Sequence, residues 1–245
     1  MGAFVVITRP EPDASDYAKE LLGLGYEVWV EPMLKIKTAS FDVPDLSRYQ
    51  GLLITSANAL NAFLKGGGQV FDVPVFCVGK YSADAAIKAG FNDVIFVDGT
   101  GVDLFNYILA QKDVQAMSFL HLCGEHVAFD LQTSLLQAGI RTDSLVVYRS
   151  VQVDCFSDVF VELLRNEKIS AVTFFSKRTA DGFVRSVQNH FSKCESESVF
   201  SEIKALSISD SVLECVRVLP WCSMHAANAP NRDGILTLLR AYVQN

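Results

Sequence analysis

The stretch LLITSANALNAF, residues 52–63, contains the local pattern that decides the fold. An apolar run of the length of a buried strand stops at a Thr-Ser turn, and the residues after it have the apolar spacing of a helix. Ser56 stands where an N-cap belongs, so its side chain can accept a hydrogen bond from the first helical turn. The stretch therefore predicts a strand, a hydroxyl-rich turn and a helix that packs back on the strand.

The same pattern recurs along the whole chain of 245 residues. Ten short apolar runs are predicted as strands, at 4–8, 27–31, 51–55, 75–78, 93–97, 118–123, 143–148, 171–175, 205–208 and 221–224. Helix-periodic segments lie near 13–24, 57–65, 81–89, 102–111, 127–138, 156–166, 178–190, 211–217 and 232–243, with Asp13, Ser82 and Ser176 as further predicted N-caps. Strands that alternate with helices form parallel sheets covered on both faces, so we expect two sheets of five strands.

Two pairs of segments resemble each other at a nearly constant offset. Residues 4–8 resemble 119–123, and residues 52–56 resemble 172–176, which are offsets of 115 and 120 residues. Such an offset indicates duplication of one α/β unit, although similar α/β units can also resemble each other by chance.

Two crossings between the halves have the alternating apolar and polar pattern of half-exposed strands. They are residues 33–38 and 148–153, and they can pair with each other as a two-stranded bridge. The expected domains and connectors follow from this pairing: a discontinuous domain of 1–36 plus 153–245, an inserted domain of 38–149, and connectors near 33–41 and 148–153.

Composition limits the class of protein. Half of the residues are hydrophobic, 20% are charged, and the formal net charge is −7, which excludes disorder and disfavours nucleic-acid binding. No apolar run approaches the ~20 residues that cross a bilayer, and the N-terminus lacks the basic segment of a signal peptide. We therefore expect a cytoplasmic protein without membrane contact. The six scattered cysteines, which form no CxxC pair, are predicted to be reduced and buried.

Common catalytic and cofactor motifs are missing from the sequence. It contains no GxxxxGK[ST] loop, no HExxH and no GxSxG, and Gly99-Thr100-Gly101 lacks the third glycine of a dinucleotide fingerprint. The four histidines lack metal-ligand spacing and are interpreted as structural or surface residues. We expect neither a metal nor a cofactor.

Turns rich in hydroxyl residues follow five predicted strands. They are Thr8-Arg9-Pro10, Thr55-Ser56-Ala57-Asn58, Val78-Gly79-Lys80-Tyr81-Ser82, Phe175-Ser176-Lys177-Arg178 and Ser209-Asp210-Ser211. Ligands of open α/β sheets bind beyond the carboxyl ends of the strands, where helix N-termini attract anions. The alternative for each Ser and Thr is an N-cap without a ligand, but recurrence in both halves favours a shared polyanion cleft. Candidate cations beside it are Arg9, Lys80, Arg149, Lys177 and Arg178, each of which has the alternative of a solvated surface charge.

The ordered set of turns resembles that of the uroporphyrinogen-III synthase family. The set consists of Thr8-Arg9-Pro10, residues 53–59, Val78-Gly79 with Ser82-Ala83 and Gly90, Val147-Tyr148, and Phe174-Phe175-Ser176, and it covers essentially the whole chain. The resemblance implies two flavodoxin-like, doubly wound parallel-sheet domains joined by a two-stranded antiparallel β-linker. It also implies a lyase reaction, the closure of linear hydroxymethylbilane to uroporphyrinogen III with inversion of ring D and loss of water.

The resemblance implies roles for particular residues. Tyr148 matches the catalytic position, and a phenol stays protonated at neutral pH and can donate to the departing hydroxyl. The polycarboxylate substrate, a linear tetrapyrrole, is expected to contact Thr8, Arg9, Pro10, Thr55, Ser56, Asn58, Gly79, Lys80, Ser82, Gly124, Phe175, Ser176, Lys177, Ser209 and Ser211. We expect a monomer that contacts, transiently, the enzyme that makes hydroxymethylbilane. The chain departs from the family pattern at Cys123 and Asp210.

Two other classes of protein stay open at the level of sequence. A non-catalytic, two-lobed α/β ligand-binding module also has duplicated lobes and two crossings. A flavin-binding or receiver domain is disfavoured, because Thr8-Arg9-Pro10 stands where such a domain has an acidic cluster.

Overall fold

The computed structural model describes residues 3–243 and confirms the α/β class. The strands are β1 (Phe4–Ile7), β2 (Val28–Val30), β3 (Leu34–Thr38), β4 (Gly51–Ile54), β5 (Val75–Val78), β6 (Val94–Val97), β7 (Ser118–Gly124), β8 (Arg141–Gln152), β9 (Ile169–Phe174), β10 (Lys204–Ser207) and β11 (Ser223–Ala226). The helices are α1 (Asp13–Gly23), α2 (Ala57–Lys65), α3 (Gly79–Ala89), α4 (Gly101–Leu109), α5 (Leu131–Gln137), α6 (Asp158–Arg165), α7 (Lys177–His190), α8 (Lys193–Phe200), α9 (Asp210–Val216) and α10 (Arg232–Tyr242). Short 3₁₀ turns lie at Leu46–Arg48 and Val114–Ala116.

The chain divides into two compact units, which we call unit 1 (Met1–Lys35 with Val151–Asn245) and unit 2 (Ile36–Ser150). The sheet of unit 1 has the strand order β11-β10-β9-β1-β2, and all its neighbouring strands are parallel. The chain runs outward from β1 to β2 on one side and from β9 to β11 on the other. The switch point of this doubly wound sheet therefore lies between β1 and β9.

The sheet of unit 2 has the strand order β3-β8-β7-β4-β5-β6. The strands from β8 to β6 are parallel, and the chain order reverses between β4 and β7, which is the second switch point. β3 lies beside β8 and runs antiparallel to it, because Ala39 N–H donates to Val147 O and Val153 N–H donates to Met33 O, at 2.9 and 3.0 Å.

Strands that resemble each other in sequence occupy equivalent positions in the two sheets. β7 corresponds to β1 and β4 corresponds to β9, and the order β6-β5-β4-β7-β8 matches β11-β10-β9-β1-β2 position by position. This equivalence is the one that duplication of an α/β unit predicts.

Each sheet is buried on both faces by helices, as the apolar runs predict. In unit 1, Phe174 and Phe183 lie in the core of one face, and Tyr17 and Ile235 lie in the core of the other. In unit 2, one face buries Leu52, Ile54 and Phe63, and the other buries Leu53 and Phe119. The strands are thereby fixed in place, and the turns at their carboxyl ends stand on a rigid support.

Several strand and helix boundaries differ from the sequence predictions. Residues 143–148 and 148–153 form the single strand β8, and β3 joins the same sheet, so unit 2 has six strands instead of five. Helix α8 was not predicted, because its sequence is largely polar and it buries only Ser196 and Phe200. The predicted domain boundaries, 1–36 with 153–245 and 38–149, stay a prediction until the two parts are shown to unfold separately.

Two predicted N-caps are wrong. Asp13 is the first residue inside α1, after Pro12, and Ser82 lies inside α3, which begins three residues earlier at Gly79. The prediction that the cysteines are buried holds for Cys77 and Cys123 alone. Cys155, Cys194 and Cys222 are exposed and Cys215 is half-buried, because they lie outside the sheet strands.

Candidate functional site

The two switch points place polar turns at the carboxyl edges of the sheets, where doubly wound folds bind ligands. In unit 2 the turn after β4 contains Thr55 and Ser56, and Gly124 is the last residue of β7. In unit 1 the turns after β1 and β9 contain Arg9 and Ser176. Each edge thus gathers residues that are far apart in the sequence.

Tyr148 lies at the carboxyl edge of unit 2 beside the switch point. In β8, Val146 pairs with Cys123 and Tyr148 pairs with Gly124, so Val147 is an extra residue that bends the strand. The Tyr148 side chain is half-buried, and its carbonyl accepts a hydrogen bond of 3.0 Å from Glu125 N–H. This bulge turns the phenol over the end of β7.

Gly124 is required by the close approach of the Tyr148 ring. A Cβ atom on Gly124 would lie 2.5 Å from Tyr148 Cζ and 2.8 Å from its Oη, closer than atoms can pack. The absence of a side chain at Gly124 therefore lets the Tyr148 ring pack directly against the backbone, and this contact fixes the position of the phenol at the edge of the sheet.

Because the family resemblance implies a catalytic role for Tyr148, we predict that Gly124→Ala lowers kcat about 10- to 100-fold: the added methyl group must displace the Tyr148 ring, and an error of 1 Å can cost that much in a positioned group. Steady-state kinetics measures the loss. Gly23→Ala is the matched control, since a Cβ there meets no atom within 4 Å. In a Tyr148→Phe background the Gly124→Ala substitution should lower kcat no further. If the two substitutions lower kcat independently, Gly124 does not act by positioning the Tyr148 ring.

A buried histidine connects the strand ends of unit 2. His121 on β7 is 2% exposed, and its Nε2 lies 3.4 Å from Thr55 Oγ1 while its Nδ1 lies 3.3 Å from Ser144 Oγ. Burial lowers the pKa of His121 to about 4, and the nearby Asp130 carboxylate opposes the shift. The imidazole is therefore neutral at pH 7.

The turn after β4 leads into helix α2 with a side-chain cap. Ser56 Oγ accepts a hydrogen bond of 3.3 Å from Asn58 N–H, so the predicted N-cap is confirmed. Thr55, Ser56 and Asn58 are all half-buried at this edge. The N-terminus of α2 carries the partial positive charge that favours anions.

The turn after β5 differs from the sequence prediction in its polar contacts. Gly79 has a φ of +73°, a conformation that favours glycine, and opens α3 directly. Lys80 is exposed and its Nζ lies 3.1 Å from Asp84 Oδ2, so its charge is already paired on the surface. Ser82 is 5% exposed inside the helix, so its hydroxyl is not offered to a ligand.

In unit 1, Arg9 in the switch-point turn forms an ion pair with the buried carboxylate of Asp13. The Arg9 Cζ lies 4.3 Å from the centroid of the Phe175 ring. Arg232 pairs with the same carboxylate, and its Cζ lies 5.3 Å from the centroid of the Tyr17 ring. Two guanidinium groups thus share one buried carboxylate, and each of them lies over an aromatic ring.

Two other residues of this edge support the turn. Thr8 is fully buried, and its hydroxyl donates to Thr173 O at 2.8 Å, so it stabilises the β1–β9 pair and is not exposed to a ligand. Pro10 O accepts a hydrogen bond of 3.0 Å from Ala14 N–H at the start of α1.

The remaining predicted contacts of unit 1 follow β9 and β10. Ser176 caps α7, with Thr179 N–H donating to its Oγ at 3.2 Å, and Lys177 beside it is exposed. Ser209 precedes α9, and its Oγ lies 3.2 Å from that of the exposed Ser211. Asp210 is the first residue of α9, where an acid suits the helix dipole.

Two further candidate cations lie next to the switch-point turns. Arg149 is exposed, and its Nε lies 3.5 Å from Glu125 Oε1. Arg178 lies in the first turn of α7, and its carbonyl accepts a hydrogen bond of 2.8 Å from Gln152 Nε2.

The structure thus brings the predicted residues together as two groups, one at each sheet edge. Three neighbouring strands of unit 2 carry Thr55, Gly124 and Tyr148, so Thr55 and Tyr148 are about two strand spacings, roughly 10 Å, apart. Sequence reasoning missed the contact of His121 with Thr55 and the pairing of Asp13 with Arg232. The only signal for the first contact was a polar histidine within the otherwise apolar run of β7.

Neither a metal cluster nor a membrane-spanning helix is found within residues 3–243. No three His, Cys, Asp or Glu side chains in this range are grouped as ligands of one metal ion. In the same range, no helix combines the length and the apolar character that crossing a bilayer requires.

Comparison with known proteins gives one consistent family. The family model described as uroporphyrinogen-III synthase HemD matches residues 15–237. A uroporphyrinogen-III synthase of Chlorobaculum parvum is 26% identical over 194 residues, which are 75% of this chain and 78% of that protein.

Solved structures of similar fold carry the same description. Uroporphyrinogen-III synthetase from Helicobacter pylori has a TM-score of 0.59 at 17% identity, over 98% of this chain and 99% of that one. A mutant uroporphyrinogen III synthase from Thermus thermophilus has a TM-score of 0.51 at 14% identity, over 99% of both chains. At these identities the likeness concerns the fold.

Proposed function

This chain belongs to the uroporphyrinogen-III synthase family, and from that premise we propose how its own residues close the linear tetrapyrrole. The enzymes of the family are lyases of porphyrin and heme biosynthesis that convert hydroxymethylbilane to uroporphyrinogen III, with inversion of ring D and loss of water. The family match spans residues 15–237, with strands of both sheets, and supports this activity over that of a non-catalytic binding module.

In the proposed mechanism, the Tyr148 phenol donates its proton to the departing hydroxyl group, which leaves as water. As the C–O bond breaks, the electron pair of the first pyrrole forms a double bond to the methylene carbon, which gives an azafulvene. The substituted carbon of ring D then attacks the methylene carbon of the azafulvene and forms the spiro intermediate. The older bond between this ring D carbon and the methylene group of ring C breaks, and the free α-carbon of ring D forms a new bond to that methylene group, so that ring D is inverted. The ring loses a proton at the end, and this proton returns to the phenolate.

The observation that carries this proposal is the close packing of the Tyr148 ring against Gly124, beside the switch point of unit 2. A phenol held in one place can meet one oxygen of the substrate, whereas a mobile phenol would also protonate unproductive conformations. Positioning also supports isomer selection, because a tenfold preference for one product needs a difference of about 1.4 kcal/mol between the competing transition states.

We propose that the substrate carboxylates are bound by the strand-end turns. The contacts in unit 2 are Thr55, Ser56, Asn58 and Gly79. Those in unit 1 are Arg9, Phe175, Ser176, Lys177, Ser209 and Ser211. Support comes from the half-buried or exposed side chains of these turns, which lie at helix N-termini where the helix dipole favours anions. Thr8, Pro10 and Ser82 then hold these turns in shape.

An isomer assay tests the proposed function. The protein is incubated with hydroxymethylbilane, the product is oxidised to porphyrin, and isomers I and III are separated. We expect isomer III to predominate and to form faster than isomer I forms in buffer. Isomer I alone, at the spontaneous rate, would refute the function.

We also propose that the enzyme acts as a cytoplasmic monomer in transient contact with the enzyme that makes hydroxymethylbilane. The chemical reason is that the substrate closes spontaneously to the wrong isomer, so it must be used where and when it is made. Light scattering of the pure protein tests the monomer, and cell fractionation tests the location.

A further inference from the structure

His121 is a buried polar side chain that the proposed mechanism does not use. It projects from the middle of β7, 2% exposed, at the switch point of unit 2. Strand β7 lies between β4 and β8, and the two ring nitrogens reach toward one hydroxyl on each side, Thr55 and Ser144. The ring therefore links the strand-end turn of Thr55 to the strand that carries Tyr148.

The neutral imidazole has one donor and one acceptor, so only two arrangements of hydrogens are consistent with the two hydroxyl partners. If Nδ1 carries the hydrogen, Thr55 must donate to Nε2, and Thr55 then presents only lone pairs to a ligand. If Nε2 carries the hydrogen, it donates to Thr55 Oγ1 while Ser144 donates to Nδ1. Thr55 can then donate its own hydrogen to a ligand.

A carboxylate accepts hydrogen bonds and donates none, so it distinguishes the two arrangements. Binding of an anion at Thr55 is favourable only with Nε2–H, and binding therefore selects this tautomer. The Cys123 side chain also interacts with Ser144, and its Sγ donates to Leu145 O at 3.6 Å.

We propose that His121 is a positioning residue that turns the Thr55 hydroxyl hydrogen toward a substrate carboxylate by donating from Nε2 to Thr55 Oγ1. The inference rests on the proposed function, since it deepens the role of Thr55 in binding the polycarboxylate. His121 itself does not touch the substrate and takes no part in the proton transfer by Tyr148.

A double-mutant cycle in KM tests the coupling. Thr55→Val removes the donor with little change in shape and should raise KM for hydroxymethylbilane about 10-fold or more, as expected for a hydrogen bond to a charged group. His121→Leu should raise KM by a smaller factor, about 3- to 10-fold, with kcat nearly unchanged. When it is combined with Thr55→Val, the His121→Leu substitution should raise KM no further.

His121→Gln is the conservative variant, because its amide N–H₂ can donate to Thr55 Oγ1 from near the position of Nε2. It should restore KM to within about 3-fold of that of the unmodified protein. If His121→Leu raises KM equally in both backgrounds, or if Gln fails to restore KM while the fold is intact, the positioning role is refuted.

An NMR measurement keeps the inference testable if the leucine variant fails to fold. The ¹⁵N shifts of the His121 ring in the unmodified protein, with uroporphyrinogen III bound under reducing conditions, should show a protonated Nε2 and an unprotonated Nδ1. The opposite tautomer would overturn the inference. Failure of the proposed function is distinct from these outcomes, because it appears as the absence of isomer III from the unmodified protein.

Discussion

Tyr148→Phe should lower kcat for formation of uroporphyrinogen III about 10²- to 10³-fold, while the thermal stability of the protein changes little. A positioned general acid contributes roughly 10²- to 10⁴-fold, and substrate positioning by the turns is left in place. The ring still fits against Gly124, since the contact that excludes a Cβ involves the ring atoms Cζ and Cε2 that Phe retains. KM should stay within a few-fold of its original value.

Tyr107→Phe is the matched control for this prediction. Tyr107 lies on α4 of the same unit, packs on Phe76 with ring centroids 6.3 Å apart, and is outside the switch-point turns. Its substitution should leave both kcat and the ratio of isomers unchanged. A kcat for Tyr148→Phe within twofold of the original would remove the phenol from the mechanism.

Most strands of the two sheets could be predicted because they are short apolar runs that end at a polar or glycine-containing turn. Burial on both faces of a parallel sheet imposes that run, so the signal is local. The order of the strands is observed in the structure, and it places the switch points beside two of the predicted turns. The turns that carry Thr55 and Ser176 therefore lie where the sequence pattern suggests.

Features that depend on distant residues could not be predicted in this way. Asp13 has the residue type of an N-cap, but it pairs with Arg232, which is 219 residues away in the chain. Strand β8 is longer than expected, because one end pairs with β7 and the other continues past the bulge at Val147 beside β3. Helix α8 is an exception among the features that were missed, because a local signal for it was present in the sequence: Ser192 and Glu195 form a capping box at its N-terminus.

The partner of a buried polar side chain is the least predictable of these features. His121 interrupts an apolar strand, and the sequence alone favours a structural or surface histidine. The observed contacts with Thr55 and Ser144 depend on the order of three strands, which no local pattern specifies. Predicting the contacts of a site residue therefore requires the strand order, whereas predicting the fold class does not.

Phe183→Ala should destabilise unit 1 by about 3–5 kcal/mol, the usual result of removing a buried phenyl ring from a core. Phe183 is fully buried in α7, and its ring lies 4.9 Å from that of Phe156, 5.3 Å from Phe174 and 5.9 Å from Trp221. For a unit of this size the loss corresponds to a fall in Tm of about 10–20 °C.

Phe63→Ala is the matched variant in unit 2, because Phe63 is also fully buried on a helix and stacks on Phe41. The two tryptophans of the chain, Trp29 and Trp221, both belong to unit 1, so their fluorescence reports the unfolding of that unit alone. If the units are separate domains, Phe183→Ala lowers the midpoint measured by fluorescence and Phe63→Ala does not, whereas circular dichroism detects both losses. Equal shifts of the fluorescence midpoint would mean one cooperative domain, and the proposed division at 36–38 and 149–153 would be wrong. Separate shifts would support two independently folding domains with boundaries near 36–38 and 149–153.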